Sequence, residues 1–214
     1  MKERKKQALR TGIFLLVLFA VWTFLIQTVD VQCAGETESP VGFATFNRWF
    51  HALTGVHMGL YTLTDWLGLV PVGICLVFGV VGFLQMVQRK SLTKVDRDLI
   101  ILGIYYVLVI LGYLVFEMIP INYRPILIEG RREASYPSST TLLVLSVMPT
   151  LISQSNHRLK NLKLKQIIHI LTAGFSLFMV VGRLVSGVHW LTDIVGSVLL
   201  SMGLFYMYQA AATK

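Results

Sequence analysis

The sequence predicts an all-α integral membrane protein, a bundle of six helices. Three observations predict it. Of 214 residues, 55% are hydrophobic and only 14% are charged, against about 25% charged in an ordinary soluble domain; mean hydropathy is +0.67. Six apolar segments fall at roughly 12–29, 67–87, 99–119, 139–154, 166–186 and 190–208, most of them near the roughly 20 residues a helix needs to cross the hydrocarbon core. The basic residues cluster on alternate connections between those segments.

Each element follows in order. The first segment trails Lys2, Arg4, Lys5, Lys6 and Arg10. That order resembles a signal peptide, but no A-x-A-like site follows, and Gln32 before Cys33 does not suit a lipoprotein site; it reads as an uncleaved anchor. Residues 30–65 form the longest outer loop. Its first part, DVQCAGETESPVGF, reads as polar and irregular. Its second, NRWFHALTGVHMGLYTLTDW, is amphipathic and aromatic, which suits a helix lying at the interface. There His51 and His57 read as packing residues. The fourth segment is short and interrupted by Pro149, and the last two nearly touch, so a tight turn must join them. No repeat or soluble second domain is visible: residues 1–214 read as a single membrane domain.

Charge gives orientation. The N-terminus, the 88–98 loop with Arg89, Lys90, Lys94 and Arg97, the 155–165 loop with Arg158, Lys160, Lys163 and Lys165, and Lys214 hold 14 of the 19 Lys and Arg residues. With six alternating helices all lie on one side. The positive-inside rule predicts both termini in the cytoplasm of a multi-pass cell-membrane protein. The net charge of +8 is then an orientation signal. It does not imply nucleic acid, since no basic face interleaves with exposed aromatics. Cys33 and Cys75 fall in a loop and an apolar run and are not expected to pair.

The run GRLVSGVHWLTDIVGS at 182–197 breaks this pattern. A charge at mid-bilayer costs on the order of 3 kcal/mol and persists where it lines a cavity or does chemistry. The predicted topology moves Arg183 and His189 to the outer turn, with Asp193 one turn inside the sixth helix. His189 and Asp193 are spaced i, i+4, which puts them on one helix face and lets the carboxylate orient the imidazole, as for a nucleophilic or general-base histidine. A structural His–Asp pair fastening the turn is the plainer reading of those two alone. The outer loop PINYRPILIEGRREASYPS adds Arg124, Arg131 and Arg132, and arginine forks suit phosphate oxygens. Pro137-Ser138-Ser139-Thr140-Thr141 reads as a helix N-terminus, either a simple cap or an anion site. Three segments thus bring arginines, hydroxyls and an oriented histidine to one face. The most economical ligand is the phosphate of a lipid head group, with no metal and no cofactor required.

These residues resemble the type 2 phosphatidic acid phosphatase superfamily of integral-membrane lipid phosphatases, over about 120–197. The third motif of that family, Arg-x5-His-x3-Asp, matches GRLVSGVHWLTD. By resemblance Arg183 binds phosphate, His189 is the nucleophile that forms a phosphohistidine, and Asp193 orients it, although Gly182 stands where the family usually has Ser. The second motif, usually Pro-Ser-Gly-His, here reads Pro137-Ser138-Ser139-Thr140. Ser138 and the Ser139 N–H are expected to bind phosphate, while Thr140 replaces the general-acid histidine. In the first motif Arg124-Pro125 matches as a phosphate ligand, but Glu117 replaces a lysine, whose charge Arg131 or Arg132 would supply. The resemblance implies a six-helix lipid phosphatase or diphosphatase with its site at the extracytoplasmic face. Without the acid, a polyprenyl diphosphate, whose leaving group needs little protonation, suits the site better than phosphatidate, unless Glu117, Glu129 or Glu133 donates the proton. The replaced residues also leave open a relative that only binds or translocates phospholipids.

Overall fold

A computed structural model describes residues 2–36 and 38–212; Lys214 of the basic tally and Thr37 of the outer loop lie outside them. All six apolar segments are helices. They are α1 (Lys2–Thr28), α4 (Leu69–Arg89), α5 (Arg97–Met118), α6 (Ser139–Arg158), α7 (Leu162–Val185) and α8 (Leu191–Ala212). Between α1 and α4 lie a two-stranded antiparallel hairpin, β1 (Gln32–Ala34) and β2 (Ser39–Val41), and two further helices, α2 (Ala44–Thr54) and α3 (Met58–Leu67).

Among the described residues five spans are long and apolar enough to cross a membrane: Lys2–Thr28, Met58–Arg89, Arg97–Met118, Leu162–Val185 and Leu191–Ala212. The protein is a multi-pass membrane protein, and the helix missing from that set is α6. Its buried face is polar, with Thr141, Ser146, Thr150 and Gln154 all out of solvent. Such a helix is costly against lipid, and it packs among α4, α5, α7 and α8 instead.

Several expectations change here. The outer loop was expected to start irregular, yet it pairs Gln32 with Val41 and Ala34 with Ser39. The single interfacial helix is two, broken at Gly55, whose φ is +70°. The second span begins at Met58 rather than 67, because α3 runs almost directly into α4 through Gly68, which keeps helical φ and ψ of −59° and −18°. Pro149 does not interrupt α6, which continues to Arg158. A proline removes one helical hydrogen bond, here the one to Leu145 O, and hydroxyls bond the two carbonyls that follow it. Tyr105 donates to Ser146 O at 2.9 Å and Thr150 Oγ1 to Val147 O at 2.6 Å.

Helix α1 packs along α8 through small residues. A Cβ at Gly12 would lie 3.0 Å from Met207 and one at Gly203 2.8 Å from Leu16. Close backbone approach of this kind is how apolar helices gain packing contacts where lipid removes the hydrophobic drive between them.

Candidate active site

The turn joining α7 to α8 carries the histidine. It is held from outside by the α2–α3 corner. Gly187 has φ +72°, and a Cβ there would lie 2.0 Å from Gly55 O, so the two glycine backbones cross in contact. His51 Nε2 donates to Gly187 O at 3.0 Å, and His57 N donates to Ser186 O at 2.9 Å. Asn47 Nδ2 donates to Thr192 Oγ1 at 2.9 Å. His51 therefore packs the turn that presents His189, whereas His57 reaches it only through its backbone, its exposed ring bonding Thr54 O instead.

His189 precedes α8, so it shares no helix face with Asp193, and the expected direct contact does not form. Asp193 is in the first turn of α8, where its Oδ2 accepts the Trp190 N–H at 2.9 Å, the reach-back of a capping box. Between the two stands Ser135. Its Oγ lies 2.5 Å from Asp193 Oδ2 and 3.0 Å from His189 Nδ1. Asn122 Nδ2 donates to Asp193 Oδ1 at 2.9 Å. Ser135 and Asn122 face each other across the loop between α5 and α6, Ser135 N donating to Asn122 O at 2.9 Å. The sequence reading missed both. The signal available was their placement, each two residues before a motif residue, Arg124 and Pro137.

His189 is 3% exposed, and its Nε2 has no hydrogen-bond partner among the described residues. Burial, and then the nearby charges of Arg124 and Arg183, hold its pKa well below the ordinary 6.5. The ring is neutral at pH 7 with one nitrogen left unengaged.

The two arginines converge on it. Arg183, near the end of α7, is 1% exposed, and its Nε and Nη1 have no hydrogen-bond partner among the described residues. Asp65 lies 3.6 Å from Nη1 in an ion pair and is more than half exposed. Arg124 Nη1 is likewise unpartnered among the described residues, and its Nε lies 3.1 Å from Glu133 Oε2 in an ion pair. Both guanidinium groups stack on Tyr61 of α3, at 4.8 Å for Arg183 and 5.6 Å for Arg124. Sequence reasoning missed Tyr61 too. Buried donors that lack partners are costly, and here both guanidinium charges act on the His189 ring.

Ser138 completes the set. It caps α6 without using its side chain, and its buried Oγ has no partner among the described residues. Its carbonyl accepts from Ser197 Oγ at 3.1 Å, which ties this helix start to α8. The first N–H groups of a helix have no intrahelical acceptor, so those of Ser139 and Thr140 add to the anion-binding potential. Tyr136 is wedged behind it, its ring filling the space that Gly196 leaves: a Cβ there would fall 2.3 Å from the ring.

The PAP2 superfamily model matches residues 99–214, which takes in every one of these side chains but those of the α2–α3 region. The chain belongs to the PAP2 superfamily. A solved PAP2 structure, the transmembrane PAP2-type phosphatidylglycerolphosphate phosphatase from Bacillus subtilis, is 19% identical and covers 93% of this chain and 94% of that one at a TM-score of 0.57. That likeness shows the fold. No curated protein matches the chain.

Within the PAP2 frame the departures find physical reasons. Gly182 stands where the family usually has Ser because α3 crosses there: a Cβ at Gly182 would lie 2.8 Å from Thr64 Cγ2. Thr140 is buried and lines an apolar groove with Gly68, Leu69, Leu142 and Leu143. Glu117 lines a separate polar pocket of about 260 Å³ with Arg124, Glu133, Ser139 and Tyr113. Arg131 and Arg132 are both exposed. Arg131 turns the hairpin tip against Ile128, and Arg132 stacks on Tyr123 at 5.0 Å. Neither lines the polar pocket, so the structure does not support their standing in for the missing lysine.

Proposed function

We propose that this protein is a membrane lipid phosphatase or diphosphatase that works through a phosphohistidine. Family membership and fold support a membrane phosphatase. The observation that carries the finer reading is a set of buried polar atoms without hydrogen-bond partners among the described residues, His189 Nε2 with Arg124 Nη1, Arg183 Nε and Nη1, and Ser138 Oγ, the two guanidinium charges acting on the imidazole. A phosphate would satisfy all of these donors at once. The Nε2 lone pair attacks phosphorus and the bond to the leaving-group oxygen breaks. Water then adds to phosphorus, the P–N bond breaks, and phosphate departs. Fixed guanidinium groups bearing on the equatorial oxygens would supply the electrostatic part of catalysis.

The preferred substrate of this reading is a polyprenyl diphosphate. No imidazole stands at the start of α6, and Thr140 lies in the apolar groove rather than the polar pocket. A general acid typically contributes 10²–10⁴-fold. A monophosphate leaving group does without it far better than an alkoxide. The basic clusters place both termini in the cytoplasm and the site outside on this reading.

Phosphate release from purified protein tests it, with polyprenyl diphosphate, phosphatidate and phosphatidylglycerolphosphate as substrates. The expected result is fastest release from the diphosphate and none from His189→Ala. Release that survives the substitution would remove His189 as nucleophile. Faster phosphatidate hydrolysis would reject the diphosphate preference. No release from any lipid by the wild type, with phosphate still binding, would favour a protein that only binds phospholipids.

A further inference from the structure

The hydrogen bonds around Asp193 decide which nitrogen of His189 carries the proton. An ionised carboxylate only accepts. Asp193 takes Trp190 N and Ser135 Oγ on Oδ2, at 2.9 and 2.5 Å, and Asn122 Nδ2 on Oδ1 at 2.9 Å. The Ser135 hydroxyl proton therefore points at Asp193. What Ser135 offers His189 is a lone pair on Oγ, 3.0 Å from Nδ1. Its backbone carbonyl, which also only accepts, lies 3.2 Å from the same nitrogen. Both acceptors from Ser135 converge on Nδ1, so Nδ1 bears the hydrogen and Nε2 keeps its lone pair. The link is sealed: Ser135 and Asn122 are each 1% exposed and Asp193 is fully buried, so water cannot substitute for either.

We infer that Ser135 is a positioning residue that carries the orienting influence of Asp193 to His189, with Asn122 holding the carboxylate in place from its far oxygen. The inference rests on His189 being the nucleophile. It changes the expected wiring: Asp193 acts at one remove, through a hydroxyl from a loop outside the α7–α8 turn. The imidazolium formed when Nε2 bonds to phosphorus keeps its Nδ1 proton on Ser135 Oγ, whose own proton rests on the Asp193 charge. The alternative wiring needs Asp193 to hold a proton and Ser135 to donate to Nδ1, and it would leave Nε2 protonated and unable to attack.

The test uses the full chain in detergent as wild type, Ser135→Ala, Ser135→Thr and His189→Ala. Nitrogen NMR of histidine-labelled protein reads the tautomer, the His189 signals being those lost in His189→Ala. The expected result is an Nδ1-protonated ring in the wild type and a mixture of tautomers in Ser135→Ala. Turnover of polyprenyl diphosphate should fall in kcat by about 10–100-fold in Ser135→Ala, the loss of one buried hydrogen bond to a charged network. KM should stay unchanged, and Ser135→Thr, which keeps the hydroxyl, should recover most of the rate. An Nε2-protonated ring in the wild type would overturn the proposal, as would a Ser135→Ala protein with wild-type tautomer and wild-type kcat. If the wild type turns over no lipid, the tautomer result alone decides the positioning role, and the phosphatase reading falls separately.

Discussion

The two ends of the helix bundle treat arginine in opposite ways. At the end holding Arg4, Asp96, Asp98 and His157, all three nitrogens of Arg158 are engaged: Nε on Gln154 at 2.8 Å, Nη1 on Asp96 at 3.4 Å and Nη2 on Asp98 at 2.7 Å. Arg89 reaches Asp96 Oδ1 at 2.8 Å and the carbonyl of Lys94. These side chains are between 26% and 43% exposed. At the other end Arg183 and Arg124 are buried, each with two nitrogens that make no hydrogen bond among the described residues and each with one carboxylate within ion-pair distance. The first arrangement is complete without a ligand. The second is deeper and yet under-satisfied, the reverse of what stability alone would favour. Burial combined with missing partners, rather than the presence of arginine, separates a binding site from a solvated ion-pair network.

Arg183→Ala is the harshest way to test that contrast. It should lower kcat/KM for the lipid substrate by about 10²–10³-fold, the scale of losing a fixed donor to a developing charge, while leaving the protein as stable as before or more so, since a costly buried cation is gone. Steady-state kinetics with a thermal unfolding curve would check both. A large loss of stability with little loss of rate would make Arg183 a structural cation like Arg158.

Next in size is a pH effect with different windows at the two ends. The pKa of His189 is depressed by burial and by two cations. The unfolded chain therefore binds its proton first, and folded stability is full above about pH 6.5 and declines as pH falls below that toward the folded value. Turnover should show no break near 6.5, the ring remaining neutral. Asp96 has its carboxylate pKa lowered by hydrogen bonds from Arg89 and Gln85. Its contribution is present above about pH 4 and fades only as pH drops through the still lower folded value. Denaturation midpoints between about pH 2 and 8, with rates over the upper half of that range, would resolve the two. A rate titrating at 6.5 would mean an ordinary, solvated histidine.

The smallest effect belongs to Arg158→Ala. Partly exposed ion pairs contribute about 1 kcal/mol or less, so stability should fall by that much, less at high salt, with turnover unchanged. A drop in rate would join the two ends mechanically and undo the contrast.

How far the sequence could be read depended on the range of the physics involved. The helices were legible because twenty apolar residues in a row have few alternatives in or out of a bilayer. The third motif was legible because Arg183, His189 and Asp193 lie within eleven positions of one another. The start of the second span was not, since Gly68 lets α3 pass into α4 without a break in hydropathy to mark it. Nor was the continuity of α6 through Pro149, because the helix is enclosed by α4, α5, α7 and α8, packing that no local pattern shows.

The sequence by itself determined an all-α membrane protein, the polarity of its basic connections and the identity of the chemical groups at 124, 138, 183, 189 and 193. Only the tertiary structure decided how those groups are wired. Asn122 and Ser135 lie 71 and 58 residues from the aspartate they bind, and Tyr61 comes from α3 to lie against both arginines. Side-chain hydrogen bonds between distant segments leave no periodicity in the chain. They exist once folding has closed the loops, and their geometry then decides which nitrogen of His189 is left to react.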